Sequence, residues 1–373
     1  MESNLVQNLV NLKSLPETWD VKDFKEVVSD NSGGNKKLAK SNFLNEGEIA
    51  VVDQGKKLIA GYYNDTSLGV KTQPPYVIFG DHTRAFKYVD FPFIMGADGT
   101  KVLQPKKGNC TTKYLYYFFL SINVPNTGYN RHFKYLKNLK IPLPPLDQQK
   151  KIAAILDAAD AYRQKTKALI TKYDNLTQSL FLDMFGDPVS NPMGWNEVIF
   201  TEVLVLRRGF DLPRQDRIKG EYPIMASNGI LDWHNEFKVE GPGVVTGRSG
   251  TLGKVHYIEG DYWPLNTALY SQELNGNNPI YLIYLIRNFR VERFSRGAGV
   301  PTLNRNLVHA ETIMTVPIEL QNQFADSVKA IEAQKAQAQA SLAQADHLFN
   351  SLLQKAFKGA LLIINDEWLM VNG

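Results

Sequence analysis

Three loops in this chain gather cations, amides, hydroxyls and glycines at close spacing, a chemistry suited to gripping phosphates and reading base edges rather than to breaking bonds. Gly80-Asp81-His82-Thr83-Arg84 follows the apolar run Tyr76-Val77-Ile78-Phe79, and Gly128-Tyr129-Asn130-Arg131-His132-Phe133-Lys134 sets cations and an amide beside aromatic rings. Gly247-Arg248-Ser249-Gly250-Thr251-Leu252-Gly253-Lys254 offers glycine-flanked backbone N–H groups with two cations, and Arg296, Asn304 and Arg305 follow in the same region. Arginine and lysine pair with guanine, asparagine with adenine, and small hydroxyls and backbone amides hold phosphates. Taken singly, each loop reads as an ordinary surface turn. Their recurrence in two separate regions points to binding. The candidate DNA contacts are His82, Thr83, Arg84, Tyr129, Asn130, Arg131, His132 and Lys134 in the first region, and Arg248, Ser249, Thr251, Lys254, Arg296, Asn304 and Arg305 in the second.

Other chemistry is harder to place. The glycine run fails as a nucleotide-hydrolysing phosphate loop because Gly247 and Gly253 are six apart rather than five, and Val255 stands where a magnesium-binding hydroxyl belongs. Gln73-Pro74-Pro75-Tyr76 is similar to the Asn/Asp-Pro-Pro-Tyr motif of amino-group DNA methyltransferases. It lacks a preceding glycine-rich cofactor loop, and an extended proline turn is the better reading. Histidines at 82, 132, 234, 256, 309 and 347 form no i, i+4 pair and have no neighbouring cysteine, so no metal site is expected. No nucleophile, base and orienter can be matched by context, and no catalytic residue is expected.

Composition narrows the class further. The single cysteine, Cys110, excludes an intrachain disulfide and suits a reducing cytoplasm. The net charge is only +4, with the excess cations in residues 1–146; between 190 and 316 ten of thirteen cations are arginines, whose planar fork suits guanine and phosphate. Residues 1–15 predict a short amphipathic helix, and no apolar stretch is long enough to span a membrane.

The elements that must hold these loops are duplicated. Trp19-Asp20, Phe24 and Glu26-Val27 recur 176 residues later as Trp195-Asn196, Phe200 and Glu202-Val203, while Leu176, Ser179, Leu180 and Phe185 recur 172 residues later as Leu348, Ser351, Leu352 and Phe357. Between these markers, residues 16–146 and 190–316 alternate short apolar runs with Gly, Pro, Asn and Asp breakers. Both read as mixed α and β, with short helices over Tyr114–Leu120 and Tyr281–Arg287. Beyond the framework the two modules hardly match, which implies two ligand surfaces on one frame.

Each module leads into a long helix of about 38 residues, roughly 57 Å at 1.5 Å per residue. In the first, Ile152, Ile155, Ala159, Tyr162, Thr166, Leu169, Tyr173, Leu176 and Leu180 alternate spacings of three and four, the mark of a coiled-coil seam. Its second counterpart runs through Phe324, Val328, Ile331, Lys335, Ala338, Leu342, Ala345, Phe349, Leu352 and Ala356. Antiparallel packing of the two is expected to hold the modules apart by a fixed spacing, with pseudo-twofold symmetry. The expected boundaries are 1–146 for the first module, 147–186 for its helix, 187–317 for the second module, 318–360 for the second helix and 361–373 for a tail. Periodicity alone equally suits a plain coiled-coil scaffold whose modules bind protein.

Leu143-Pro144-Pro145-Leu146-Asp147-Gln148-Gln149-Lys150-Lys151-Ile152 resembles the proline-and-glutamine start of the conserved helix in type I restriction-modification specificity subunits. The whole chain fits that pattern. The second module is similar to the family's Gly-Arg-x-Gly-Thr-x-Gly segment at 247–253, followed by Tyr262-Trp263, Asn266-Thr267, Val300-Pro301 and Leu303-Asn304. The second helix departs from it, with Pro317 alone before Ile318-Glu319-Leu320-Gln321 and one residue fewer. The resemblance implies an α+β fold with two α/β target recognition domains, each reading half of a split double-stranded DNA target. It also implies a non-catalytic role beside two methyltransferase subunits and restriction translocase-nuclease subunits. Those partners would carry the S-adenosylmethionine, ATP and magnesium chemistry, with no cofactor in this chain.

Overall fold

The computed structural model describes residues 15–96, 98–108, 110–128, 130–297, 301–364 and 367–370; the expected N-terminal helix over 1–15 lies, but for Leu15, outside the described residues. The chain forms two compact units. One draws on residues up to Lys165 and from Ser341 onward, the other on Thr166–Ala340.

In the first unit the central sheet contains β1 (Val28–Asp30), β2 (Tyr76–Gly80), β3 (Phe86–Val89) and β4 (Thr100–Pro105) in the order β1-β4-β2-β3, all antiparallel. Strand β2 is apolar along its whole length because both faces are covered, and alternation sends its side chains two ways. Val77 and Phe79 enter a core with α1 (Thr112–Ser121), while Tyr76 and Ile78 join Val52, Phe93 and Met95 of a second sheet. That sheet is built from Lys37–Leu38, Ile49–Val52, Gly61–Tyr63 and Phe93–Gly96. A four-residue helix, α2 (Phe133–Leu136), precedes the strand Lys140–Leu143, which pairs with Asp20–Asp23. The chain then enters α3 (Leu146–Phe185).

The second unit repeats this plan. Strands β5 (Val205–Arg208), β8 (Gly243–Gly247), β9 (Val255–Ile258) and β10 (Ala268–Glu273) form a sheet in the order β5-β10-β8-β9, the same topology as before. Between β5 and β8 comes a hairpin, β6 (Tyr222–Ala226) and β7 (Gly229–His234), with Trp263–Pro264 added parallel to β6. After β10 follow α4 (Pro279–Phe289), the strand pair β11 (Ser295–Arg296) and β12 (Thr302–Leu303), α5 (Arg305–His309) and α6 (Ile318–Phe357). The expected short helices correspond to α1 and α4.

The long helices begin and end for local reasons. Pro144 and Pro145 before α3 and Pro317 before α6 cannot donate a ladder hydrogen bond, and Asp147 and Glu319 place negative charge in the first turn, where the helix dipole favours it. Gly186 and Gly359, both at positive φ, follow the last turns. The fourth residue of each helix is a buried glutamine that ties it to the N-cap of the short helix. Gln149 Oε1 accepts from the Thr111 N–H at 2.9 Å while its amide donates to the Pro144 carbonyl at 2.9 Å. Gln321 Oε1 accepts from the Asn278 N–H at 2.9 Å, and its amide donates to the Val316 carbonyl and Asn277 Oδ1, each at 2.8 Å. The shared joint sets the register of the second helix despite its missing proline.

Each unit contains one stretch of each long helix, and within it the two stretches run antiparallel. In the first, Gln148 and Ile152 lie by Gly359 and Leu361, while Arg163 stacks 4.3 Å from the Phe349 ring and its Nε donates to Asp346 at 2.6 Å. In the second, Phe181 and Phe185 pack on Phe324, and Lys335 pairs with Asp174 at 2.6 Å. The buried side of α6 follows the expected positions. On α3 the expectation fails at three places: Tyr162, Leu169 and Leu176 are 55%, 41% and 49% exposed. The covered stripe instead runs one residue on, through Arg163, Ile170 and Thr177, because Arg163 is held by Phe349, Asp160 and Asp346 and Thr177 bonds the Tyr173 carbonyl.

Candidate nucleic-acid interface

In the second unit, backbone hydrogen bonds draw distant cations to one place. The Arg248 N–H donates to the Thr267 carbonyl at 2.9 Å, and the Leu303 N–H donates to the Arg248 carbonyl at 2.7 Å, so the loop after β8 is sewn to β10 on one side and β12 on the other. Ser249 bridges Thr302, which pairs with Arg296. A Cβ on Gly247 would collide with the Thr251 carbonyl, which is why the tight turn carries glycine there. The result is an open cleft of about 420 Å³ lined by Arg208, Arg248, Arg296 and Arg305 with Thr302, Asn304 and Asn306, floored by Leu269 and Leu303.

Among the described residues the lining of the cleft holds no carboxylate. Asp211 comes within 3.5 Å of Arg208 but also accepts from the Asn266 amide. One Arg248 nitrogen donates to the Asn266 carbonyl at 3.2 Å, which fixes that guanidinium. Asn304 caps α5, its Oδ1 accepting from the Asn306 N–H at 3.1 Å. Beneath β5, His309 Nε2 accepts from the Leu206 N–H at 3.1 Å and its ring stacks on Phe200. An acceptor nitrogen requires the neutral ring; burial, then the Arg305 charge, lowers its pKa in agreement.

The hairpin β6–β7 stands beside this loop. Its turn residue Ser227 touches the positions that side chains at Gly247 and Gly250 would occupy, and Gly229 lies over the His256 ring. Asn228 of the turn and Ile230, Leu231 and Trp233 of β7 face solvent.

The first unit repeats the stitching with different side chains. The Asp81 N–H donates to the Gly99 carbonyl at 2.8 Å and the His132 N–H to the Asp81 carbonyl at 3.0 Å, matching the two bonds of Arg248. Here the Asp81 carboxylate is buried and accepts from the Phe133 N–H at 2.7 Å. His132 Nδ1 lies 2.8 Å from the Asp81 carbonyl, which fixes the proton on Nδ1 because a carbonyl only accepts. His132 is therefore a correction to the expected contacts: it is 0% exposed and locks two loops together.

The remaining candidates divide by environment. Thr83 donates to the Gln54 carbonyl, His82 is half-buried with its N–H on Gln54 Oε1 at 3.3 Å, and Arg84, at φ +61°, donates to the Val124 carbonyl at 3.2 Å. Asn130 donates to the Thr127 carbonyl; Arg131 and Lys134 are exposed, the latter 5.1 Å from the Tyr135 ring. Tyr129 and Val300 lie outside the described residues. Arg248, Arg296, Asn304 and Arg305 come together in the cleft; Ser249 adjoins it, while Thr251 and the exposed Lys254 are not in its lining. Sequence reasoning missed Arg208, which reaches the cleft from an edge strand, and Lys101 and Lys137, whose ammonium groups lie 5.0 and 5.2 Å from the Phe133 ring. Only the count of arginines hinted at the first. Tyr76, of the methyltransferase-like motif, is 0% exposed with its ring perpendicular to that of Phe93, so it offers no face to a base.

Among the described residues no cluster of metal-ligating side chains occurs, and no helix is long and apolar enough to cross a membrane. The family described as type I restriction modification DNA specificity domain matches residues 16–172 and again 192–344. The chain belongs to that family and carries its domain twice. The type I restriction enzyme EcoR124I/EcoR124II specificity subunit of Escherichia coli is 28% identical over 141 residues, 36% of this chain and 33% of that one. The match thus spans about a third of that curated relative. Among solved structures, the S subunit of a type I restriction-modification system from M. genitalium aligns with a TM-score of 0.61 at 18% identity, over 91% of this chain and 96% of that one. A chain from a structure on complex assembly and conformational transition of the type I system aligns at 0.55 and 16% identity, over 92% and 99%. Both share the fold.

Proposed function

We propose that this chain is the DNA-specificity subunit of a type I restriction-modification complex, each module reading one half of a split double-stranded target. One observation carries the reading: two modules of identical sheet order end in differently furnished loops, one closed by Asp81 and His132, the other opened into an arginine cleft. A shared frame with exchanged surfaces is what a reader of two unlike half-sites requires. The long helices, continuous through both units, would form the antiparallel coiled coil that sets the spacing between half-sites and docks two methyltransferase subunits. Catalysis would then belong to partners: S-adenosylmethionine in the methyltransferases, ATP and magnesium in the translocase-nuclease subunits, all in the cytoplasm.

Methylome sequencing of cells with and without the chain tests this. One bipartite methylated motif should vanish on deletion, and replacing residues 190–316 by the corresponding module of a relative should change one half of it. Inserting four residues after Thr166 should alter the spacer and leave both halves intact. Methylation by the purified chain alone would instead support the enzyme reading, and binding that ignores DNA would support a protein scaffold.

A further inference from the structure

Resting on the DNA-reading role, we propose that the cleft of Arg208, Arg248, Arg296 and Arg305 seats backbone phosphates of the bound duplex, and that bases are met by the neighbouring hairpin turn. Shape is the first reason. Phosphates are the outermost groups of a duplex, whereas base edges lie at the floor of a major groove about 8.5 Å deep. A cleft with the buried Leu269 and Leu303 in its lining is shaped to receive a group that protrudes. Asn228 and Ile230 of the hairpin, whose buried Ser227 packs on Gly247 and Gly250 of the Arg248 loop, are exposed and open to a base edge.

Hydrogen-bond inventory is the second reason. Bidentate reading of adenine by an asparagine needs its amide oxygen and nitrogen together. Asn304 Oδ1 accepts the Asn306 N–H, a capping bond that ties its amide to α5 and takes one of the oxygen's two lone pairs. The four guanidiniums are donors only. Among the described residues, a lining with four guanidiniums and no carboxylate carries a net positive charge that matches an oxyanion. Four like charges around one cleft also exceed what a single guanine uses, since one arginine suffices for its O6 and N7. Neutralising one or two phosphates balances them better.

The test uses the full chain with its methyltransferase partners and two duplexes: the target read from the methylome, and the same duplex with the second half-site shuffled. Arg208→Ala, Arg296→Ala and Arg305→Ala should each weaken both duplexes equally, by about fivefold near 0.1 M salt, and lower the slope of log K against log salt by roughly 0.9. Arg→Lys at the same positions should restore most of the slope, because the salt dependence follows the positive charge, which lysine keeps. Asn228→Ala with Ile230→Ala should reduce the preference for the target and leave the slope unchanged. Loss confined to the target duplex in the arginine variants, or no change in slope, overturns the phosphate seat. If the unsubstituted complex does not distinguish the two duplexes at all, it is the specificity reading that fails. Thermal melts that match the unsubstituted chain keep folding defects out of the comparison.

Discussion

Asp81 and Arg248 occupy equivalent places, each donating its N–H to a strand-end carbonyl and accepting from the segment before a short helix, yet they do opposite things. Asp81 turns inward and satisfies the Phe133 N–H, closing its module's loops upon themselves. Arg248 faces a cleft with three further arginines. The difference shows where this fold stores constancy and where it stores variety. Backbone hydrogen bonds and the glycines that permit them, Gly80 and Gly247, are kept, while the side chains they present are exchanged between a buried acid and an open base.

The comparison is broken most easily at what the modules share. Gln149→Leu and Gln321→Leu each strand buried backbone groups, and each should cost about 2–4 kcal/mol, read from the urea transition of the affected module. A loss in only one of them would mean that the joints are not equivalent. Next comes the side chain that differs. Asp81→Ala should destabilise its module by about 1.5–3 kcal/mol, the worth of a buried hydrogen bond to a charged group, whereas Arg248→Ala should leave its module's melting within about 0.5 kcal/mol and weaken DNA binding. Paired melts and DNA titrations separate the two outcomes.

A smaller effect sharpens the contrast through pH. Because burial lowers the pKa of His309, and of His256, the stability these neutral rings confer is present above the ordinary imidazole value and is lost as pH falls below it. Urea midpoints of the second module should drop between pH 7 and 5, and His309→Gln, which keeps an acceptor near Leu206, should remove part of that drop. Unaltered pH dependence in the variant would discount the ring. The smallest effect concerns Cys110, the counterpart of Asn277. Burial pushes its thiol up to about 12, so an aromatic disulfide reagent at pH 8 should leave it unmodified in the native chain and label it fully in denaturant.

The duplicated frame, the two short helices and the covered face of α6 were legible because repeats and heptad spacing are local signals. The covered face of α3 was not, since the bulky apolar Tyr162, Leu169 and Leu176 point to one stripe and a stacked, ion-paired Arg163 selects another. Three of the cleft's arginines, with Asn304, could be read from loops rich in cations, amides and glycines. Arg208 could not, because no spacing along the chain reveals that β5 lies against β10. His132 misled for a related reason: a histidine between Arg131 and Phe133 looks like a contact residue, and only the buried Asp81 carbonyl beside it shows otherwise.

The way the chain is apportioned between the units bears on its making. The second unit is one contiguous stretch, Thr166–Ala340, whereas the first needs Phe349, Leu353, Ala356 and Phe357 to fill the core around Tyr114 and Phe118. Those phenylalanines are synthesised after the whole of the second unit. The domain begun first must therefore wait, its aromatic wall uncovered, while the later one can close during translation. Birth order and completion order are inverted: a chain truncated before residue 349 would hold every residue of the second unit and lack part of the first unit's core.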